Sequence, residues 1–298
     1  MIWRGRRESS NVEDDRAQTG GRSSGSSGAL GLLMVIFRFF GVKGVVIALV
    51  AGVVLWKTGL IDPARLLGDR PATGAASSPG GDVSVSAEEQ DRFHFVKVVL
   101  ADTEDVWNAE FARHNRKYEL PVLTIYRGGV TTGCGEGSAQ AGPFYCPADQ
   151  KVYIDLSFYD ELAQTFKSPG DFAQAYVIAH EIGHHVQKLL GISDKVSAMR
   201  GRPDYNEYSV RLELQADYLA GVWANHSKQY LERGDIEEAM TAANAIGDDA
   251  IQKKMRGRVV PHSFTHGTSA QRMRWFNKGL QSGRMDDGDT FSVPYSAL

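Results

Sequence analysis

The stretch AHEIGHHVQ, residues 179–187, places His180 and His184 four residues apart, with Glu181 directly after the first histidine. Residues four apart share one face of an α-helix, so the two imidazoles can bind one zinc ion at about 2.0 to 2.1 Å. Glu181 can reach a water molecule beside the metal without being a ligand, and the chance occurrence of such a motif in this chain is on the order of one per cent. The motif therefore predicts a zinc site, and it requires a fold that brings a third ligand to this helix.

A helix is predicted around this motif. Ser168 and Asp171 are typical of a helix start, and Gly191 is typical of a helix end. In metzincins a third histidine ligand follows on the same segment, but Leu190 stands at that position here. The third ligand is therefore expected on another element of the fold.

A second helix is predicted for RLELQADYLAGVWANH, residues 211–226, on which Glu213 and Asp217 are four residues apart and face the same way. Glu213 is predicted to complete a zinc site of two histidines and one glutamate, in which one position stays open for water. Asp217 is predicted to accept a hydrogen bond from a ligand imidazole and so to fix its tautomer. The alternative is that both are solvated surface acids, but the leucines and alanines of this helix favour a buried location.

An apolar run covers residues 30–56, interrupted only by Arg38 and Lys43, and about 20 apolar residues are enough to cross a membrane. We therefore predict a transmembrane anchor over 30–58. A buried core helix and a cleaved signal peptide are the alternatives, although no typical cleavage site follows the run. Basic residues are more frequent before the run than after it, which predicts a cytoplasmic N-terminus and an outside location for everything after residue 60.

The remaining segments are assigned from composition. Residues 1–29 are rich in Gly, Ser and charged side chains and predict a disordered cytoplasmic tail. Residues 59–86 are rich in Pro, Gly and Ser and predict a flexible linker, which leaves 87–298 to form the folded domain. The net charge of −3 gives no indication of a nucleic-acid partner.

Within that domain the sequence predicts an α+β fold that is mostly helical with a small sheet. A long helix is expected to end near His114, and strands are expected at 121–128 and 151–159. Cys134 and Cys146 lie between the strands and are a candidate disulfide, because thiols outside the cytosol can oxidise. Closing so short a loop would stabilise the fold by about 3 kcal/mol.

Several of these stretches together resemble one known family. HEIGHHVQ, then RLELQAD with AGVW after it, preceded by GPFYCPADQKVYIDLSF and followed by SFTHGTSAQRMRWFNKG, is similar to the bacterial membrane-anchored family called putative neutral zinc metallopeptidases, and MIWRGRRESSNVEDDR resembles that family's start. The resemblance spans nearly the whole chain and implies a zincin fold of gluzincin type at the bacterial inner membrane. It implies His180, His184 and Glu213 as zinc ligands and Glu181 as the catalytic base. Many relatives have a cysteine after QAD, where this chain has Tyr218.

The predicted chemistry is peptide-bond hydrolysis by a zinc-activated water. Glu181 is expected to take the proton of this water and later to deliver it to the leaving amine. His266 is a candidate for stabilising the tetrahedral intermediate, although a structural role beside a turn is an equally good interpretation. Arg272 and Tyr208 are weaker candidates for the same task. His185 follows a ligand by one residue, so it is expected to point away from the metal and to be structural.

Three functions remain open from the sequence. The first is a membrane-anchored zinc peptidase whose peptide or protein substrate lies along an edge at 151–159. The second is a non-catalytic envelope module in which zinc only staples the two helices, and the presence of Glu181 argues against it because a structural zinc site needs no base. The third is a zinc amidase that acts on cell-wall peptides, which would use the same site residues as the first.

Overall fold

The structure, a computed structural model, describes residues 1–17, 85–139 and 142–298. Its helices are α1 (Ala87–Arg113), α2 (Phe158–Gln164), α3 (Asp171–Leu189), α4 (Ile192–Ser197), α5 (Tyr205–His226), α6 (Asp235–Ala245), α7 (Asp248–Arg256) and α8 (Ser269–Ser282). Its strands are β1 (Val12–Asp14), β2 (Val122–Tyr126), β3 (Gly129–Thr132), β4 (Gly135–Ser138), β5 (Phe144–Cys146) and β6 (Lys151–Asp155). The described residues are therefore mostly helical with a small sheet, as the sequence predicts.

The main sheet has the strand order β1-β2-β6-β5. β1, β2 and β6 run parallel, with Leu123 of β2 opposite Val152 of β6. β5 runs antiparallel to β6, with Phe144 opposite Tyr153, and forms an edge of the sheet. The predicted strand at 151–159 is thus shorter than expected and lies inside the sheet, so the expectation that it offers a free edge was wrong. Among the described strands, β1 and β5 are the two edges of this sheet.

Helix α1 ends at Arg113, beside His114, as the sequence predicts. The Ser86 hydroxyl accepts a hydrogen bond from the Glu89 N–H at 3.1 Å and so caps the first turn. One face of the helix is buried, since Val96, Trp107 and Phe111 are each at most 1% exposed. Burying a large apolar side chain contributes about 1.5 to 3 kcal/mol, so this face fixes α1 to the core.

Residues 1–17 belong to the folded unit, contrary to the disordered tail predicted over 1–29. β1 pairs with β2 along its whole length, and Met1 is buried, with only 4% of its surface exposed. Because this segment packs with the residues after 85 in one unit, the two parts lie on the same side of any membrane. A single crossing between them would place them on opposite sides, so the predicted topology with a cytoplasmic N-terminus and an outside domain conflicts with the fold.

Two buried carboxylates of α1 hold this N-terminal segment. Asp102 is 5% exposed and forms an ion pair with Arg6. Glu104 is 3% exposed and accepts hydrogen bonds from the Ser9 hydroxyl and, at 2.8 Å, from Asn11 Nδ2. Removing the partner of a buried charge costs about 3 to 5 kcal/mol. The polar composition of the segment, which suggests disorder when read alone, therefore supplies the partners of buried acids.

The predicted fold class is corrected in one part, the preceding transmembrane helix. Among the residues that the structure describes, no helix is both long enough and apolar enough to cross a membrane. The predicted anchor at 30–58 lies outside the described residues, as does the predicted linker up to residue 84. The α+β part of the prediction agrees with the described strands and helices.

The start of α3 differs from the prediction, whereas its end agrees with it. Gly170 is the N-cap and makes no side-chain cap, so the predicted cap at Ser168 was wrong. The Ser168 hydroxyl is buried and has no hydrogen-bond partner among the described residues. At the other end Gly191 adopts a φ of 74°, the left-handed conformation that ends helices and favours glycine.

Close backbone contact fixes α5 against α8. A Cβ atom at Gly279 would lie 1.9 Å from the Tyr218 carbonyl oxygen, and one at Gly221 would lie 2.1 Å from the Phe276 carbonyl oxygen. Only glycine permits this approach at either position. On the other side of α5, Trp223 stacks on Phe172 of α3 at 5.5 Å between ring centroids. Helix α5 is therefore held from two sides, which fixes the face that carries its acidic residues.

Candidate metal centre and active site

Helices α3 and α5 meet at the centre of the HEIGHH motif. A Cβ atom at Gly183 would lie 3.0 Å from the carbonyl oxygen and 3.1 Å from the Cα atom of Ala216. A side chain there would push the helices apart, so glycine lets the backbones approach. This contact places Glu213 of α5 opposite the two histidines of α3.

The three predicted ligands converge on one point. His180 Nε2 lies 3.3 Å from Glu213 Oε2, and His184 Nε2 lies 3.5 Å from Glu213 Oε1. One possible ligand atom from each of the three residues lies within 4.8 Å of the others. Ligand atoms at about 2.0 to 2.1 Å from a tetrahedral zinc ion are about 3.3 to 3.4 Å apart, so the observed distances fit zinc. Two imidazole nitrogens and one carboxylate are also the donor set of open zinc sites.

The charges of these residues are strongly coupled. Burial alone raises the pKa of Glu213, but His184 and His180 outweigh it and hold the pKa well below its ordinary value. Burial alone lowers the pKa of His184, but Glu213 outweighs it and raises the pKa to about 9. The pKa of His180 is raised as well, because Asp217 and Glu213 outweigh its burial. The Glu213 carboxylate thus favours positive charge on His180 and His184. A metal cation bound to the two histidines can supply this charge in place of their extra protons.

Glu181 lies beside the ligands without belonging to the group that converges on Glu213. Its side chain faces the same cleft as His180 and His184, and the residue is 8% exposed. Burial is the largest cause that raises the pKa of its carboxyl, while the neighbouring histidines lower it. A carboxylate with a raised pKa at the edge of a metal site has the properties of a general base.

Asp217 lies behind His180, as the spacing on α5 predicts. Its Oδ1 is 2.8 Å from His180 Nδ1 and accepts a hydrogen bond from the Tyr176 hydroxyl at 2.5 Å. Its Oδ2 accepts from Arg272 Nε at 2.9 Å. Asp217 is completely buried; burial alone raises its pKa, but Arg272 and His180 outweigh it and lower the pKa to about 2. The carboxylate therefore stays charged, keeps the proton of His180 on Nδ1 and leaves Nε2 free for a metal.

Of the three candidates for stabilising an intermediate, His266 and Arg272 line the cleft and Tyr208 lines a different cavity. Arg272 is engaged with Asp217, so its charge is already paired. The half-exposed His266 ring has Nδ1 at 3.3 Å from Asp248 Oδ1. Asp248 Oδ2 also accepts the His266 backbone N–H at 2.6 Å, which fixes the turn that carries the ring. Asp248 thus orients His266 and leaves its Nε2 available to the cleft.

His185 points away from the metal centre, as predicted. Its Nε2 donates to the Glu119 carbonyl oxygen at 2.7 Å, and its Nδ1 accepts from the Tyr145 hydroxyl at 3.0 Å. Burial lowers the pKa of this imidazole, which keeps it neutral. His185 therefore links α3 to strand β5 through Tyr145 and takes no part in the candidate metal site.

The cleft in front of the metal centre has a volume of about 560 Å³. Most of its remaining wall is apolar and comes from Phe144, Phe158, Phe166, Val177, Ile246, Ile251 and Met255. The edge strand β5 forms one rim through Phe144 and Tyr145. The predicted disulfide is present: Cys146 of β5 is bonded to Cys134, which precedes β4. The bond ties the β3-β4 hairpin to the strand at the rim of the cleft.

The fold and the site together describe a mostly helical protein in which two histidines and one glutamate form a candidate metal centre. The chain belongs to the family of putative neutral zinc metallopeptidases, whose family model matches residues 1–291. It is 48% identical over 296 residues to the uncharacterized protein YpfJ of Escherichia coli strain K12, which covers 98% of this chain and 99% of that protein. It is 40% identical over 247 residues to the uncharacterized protein Rv2575 of Mycobacterium tuberculosis strain H37Rv, covering 78% of this chain and 84% of that protein. No solved structure matches the chain.

Two residues of the site were missed from the sequence. Tyr176 is four residues before His180, so the same spacing argument that joins His180 to His184 would have placed it on the ligand face of α3. Asp248 is 18 residues before His266 in the chain, and its position depends on how α7 packs beside the turn. Tyr176 therefore had a sequence signal, whereas Asp248 had none.

Proposed function

We propose that this protein is a zinc-dependent peptidase that hydrolyses peptide bonds in its apolar cleft. The observation that carries the proposal is the convergence of His180, His184 and Glu213 on one point beside Glu181. The ligand distances match tetrahedral zinc, and three protein ligands leave the fourth position open, as catalytic zinc sites require. Membership of the zinc metallopeptidase family supports the same reaction class.

The proposed roles follow from where each side chain lies. His180, His184 and Glu213 would hold a zinc ion, which would polarise a carbonyl as a Lewis acid and make a water molecule more acidic. Glu181 takes a proton from the attacking water and delivers it to the leaving amine. Burial lowers the pKa of His266, but Asp248 and Glu213 outweigh it and raise the pKa. The protonated ring, oriented by Asp248 at Nδ1, donates a hydrogen bond from Nε2 to the oxygen on which negative charge develops. Asp217 and Arg272 hold His180 in place and do not touch the substrate.

The rim of the cleft supports binding of an extended peptide. Among the described strands β5 is paired on one side only, with β6, so its other edge can accept a peptide strand. The apolar wall of the cleft, with phenylalanines and isoleucines in the majority, favours a large apolar side chain close to the scissile bond. The preferred substrate is therefore an extended, unfolded segment with a bulky apolar residue.

We also infer that the domain works outside the reducing cytosol. The bond between Cys134 and Cys146 supports this inference, because disulfides persist in oxidising compartments and are rare in the cytosol. Cys146 follows Tyr145, which lines the cleft, so the bond and the cleft belong to the same folded domain.

The test is cleavage of a mixed peptide library by the purified, zinc-loaded full chain and by its Glu181→Gln variant. We expect cleavage beside bulky apolar residues by the wild type, and a loss of about 10² to 10⁴-fold in rate for the variant, which lacks the base. Equal zinc content in the two proteins ensures that the comparison concerns the base alone. A zinc-loaded wild type that cleaves no peptide, or a variant as active as the wild type, would overturn the proposal in favour of a non-catalytic module.

A further inference from the structure

The second histidine, His184, also has a partner on the side away from the metal. Its Nδ1 lies 2.9 Å from the side-chain oxygen of Gln187, three residues later on α3. Gln187 is completely buried. A buried glutamine must find partners for both ends of its amide, since an unpaired buried polar group costs about 1 to 3 kcal/mol.

The backbone of α5 decides which way this amide points. Gln187 Nε2 lies 2.7 Å from the carbonyl oxygen of Leu212 and 3.0 Å from Oε1 of Gln215. A backbone carbonyl only accepts hydrogen bonds, so the NH2 group of Gln187 must face it and Oε1 must face His184. Oε1 also only accepts, so the proton of His184 must be on Nδ1. This leaves Nε2 with a free lone pair on the side of Glu213, as a zinc ligand requires.

Gln215 continues the chain of hydrogen bonds to the C-terminal segment. Its Nε2 donates to the Gly288 carbonyl oxygen at 3.0 Å. Gly288 packs tightly on Tyr218, since a Cβ atom there would lie 2.3 Å from the tyrosine ring. The Tyr218 hydroxyl in turn donates to the Arg284 carbonyl oxygen at 2.7 Å. The backbone around Gly288 is therefore fixed by α5 itself.

We propose that Gln187 and Gln215 form an amide relay that holds His184 in the tautomer and orientation needed to bind zinc. The relay runs from His184 through both glutamines to the backbone of Gly288. Its members are positioning residues, because they act through His184 and lie behind it. The proposal rests on the zinc site of the proposed function but does not depend on the substrate.

The relay makes the C-terminal segment a part of the support of the metal centre. The Leu212 carbonyl fixes the first amide, and the Gly288 carbonyl fixes the second. Both fixed points are backbone atoms, so they cannot rotate as a side chain does. A change at either glutamine therefore frees His184 without touching the charged residues behind His180.

The test compares zinc affinity of the full chain with that of the Gln187→Met variant, by competition with a chelator. Met has nearly the same size and no hydrogen-bonding amide, and we expect it to weaken zinc binding by about 10- to 100-fold. Gln187→Glu keeps an acceptor for His184 but cannot donate to Leu212, so we expect it to weaken binding too. Gln164→Met, the same change at an exposed glutamine on α2, should leave the affinity unchanged.

A spectroscopic measurement separates positioning from a general loss of structure. In the zinc-loaded wild type, NMR should show the Nδ1–H proton of His184 protected from exchange with solvent. Gln187→Met should lose this protection while the Nδ1–H proton of His180 keeps it. Gln215→Met, which retains Gln187, provides a milder second variant if Gln187→Met does not fold, and we expect it to weaken zinc binding several-fold.

The outcomes distinguish this proposal from the proposed function. If the wild type binds zinc and the Gln187 and Gln215 variants bind it equally well, the relay is overturned while the zinc site stands. If the wild type binds no zinc, the site and the relay fail together. If the relay variants lose affinity and Gln164→Met does not, the assignment of both glutamines is supported.

Discussion

The two histidines of the metal centre are oriented by different kinds of neighbours. His180 is held by a charged group, the Asp217 carboxylate, which is itself paired with Arg272. His184 is held by a neutral amide, that of Gln187, whose direction is set by a backbone carbonyl. Both arrangements leave Nε2 free, so one ligand geometry is reached by charge and the other by hydrogen-bond direction.

The two arrangements are vulnerable to substitution in different ways. The charged network removes Asp217 and Arg272 from water, so loss of one partner leaves an uncompensated buried charge and endangers the fold. The amide relay buries no charge, so its loss costs less folding free energy and acts mainly on the geometry of His184. We therefore expect loss of the charged network behind His180 to lower the stability of the fold strongly. Loss of the amide relay behind His184 should weaken zinc binding with a smaller effect on stability.

The largest effect is expected for Asp217→Ala. The change leaves the guanidinium of Arg272 buried and unpaired, so the free energy of unfolding should fall by about 3 to 5 kcal/mol. Chemical denaturation of the metal-free protein measures it, with Gln187→Ala as the matched variant on the other side, for which about 1 to 3 kcal/mol is expected. Equal losses for the two variants would contradict the comparison.

Metal removal should make stability depend on pH in a defined direction. The pKa of His184 in the metal-free protein is raised to about 9 from the ordinary value of 6.5. A raised pKa in the folded state stabilises the fold at a pH below the pKa of the unfolded state. This stabilisation is lost as the pH rises through the pKa of the folded state. Between pH 6.5 and 9 the free energy of unfolding of the metal-free protein should therefore fall by roughly 3 kcal/mol. Denaturation curves across this range measure the loss, and a stability that rises with pH would contradict it.

A double substitution sharpens the charged side of the comparison. Asp217→Leu combined with Arg272→Met removes both charges, so no buried charge is left unpaired. We expect the double variant to regain about 2 kcal/mol of unfolding free energy relative to Asp217→Leu alone, because apolar replacement of a buried pair is often neutral or stabilising. A double variant that is less stable than the single variant would show that the network acts by more than charge compensation.

The smallest effect is expected for Tyr218→Phe. The hydroxyl donates to the Arg284 carbonyl oxygen, and loss of one such hydrogen bond costs about 0.5 to 1.5 kcal/mol. The ring that packs on Gly288 remains, so the relay and the zinc affinity should be unchanged. Unfolding measured together with chelator competition checks both parts. A large loss of zinc affinity would mean that the hydroxyl, and not the ring, fixes the end of the relay.

The parts of the molecule that follow local spacing were predictable from the sequence. The spacing of four residues placed His180 with His184 and Glu213 with Asp217, and both pairs lie on the expected helix faces. The capping box of Thr268 and Gln271 at the start of α8 likewise follows from the spacing of three residues between them. In each case the geometry of one helix determines the outcome, so no knowledge of the packing is needed.

The parts that depend on tertiary partners were not predictable. The N-terminal segment carries Arg6 and Asn11, which suggest a solvated tail until the buried acids of α1 are known. The role of Gln187 depends on Leu212, which lies on another helix and acts through its backbone. A local pattern identifies neither case, because the decisive partner is distant in the chain and, for the relay, has no side-chain signature.

The most direct test of the proposed metal site is the zinc content of the full chain by elemental analysis, after saturation with zinc and removal of excess metal. We expect one zinc ion per chain in the wild type and in Glu181→Gln, and a nearly complete loss in Glu213→Ala. That result would establish the two-histidine, one-glutamate site with a base that is not a ligand. Full zinc content in Glu213→Ala, or none in the wild type, would contradict the proposed zinc site.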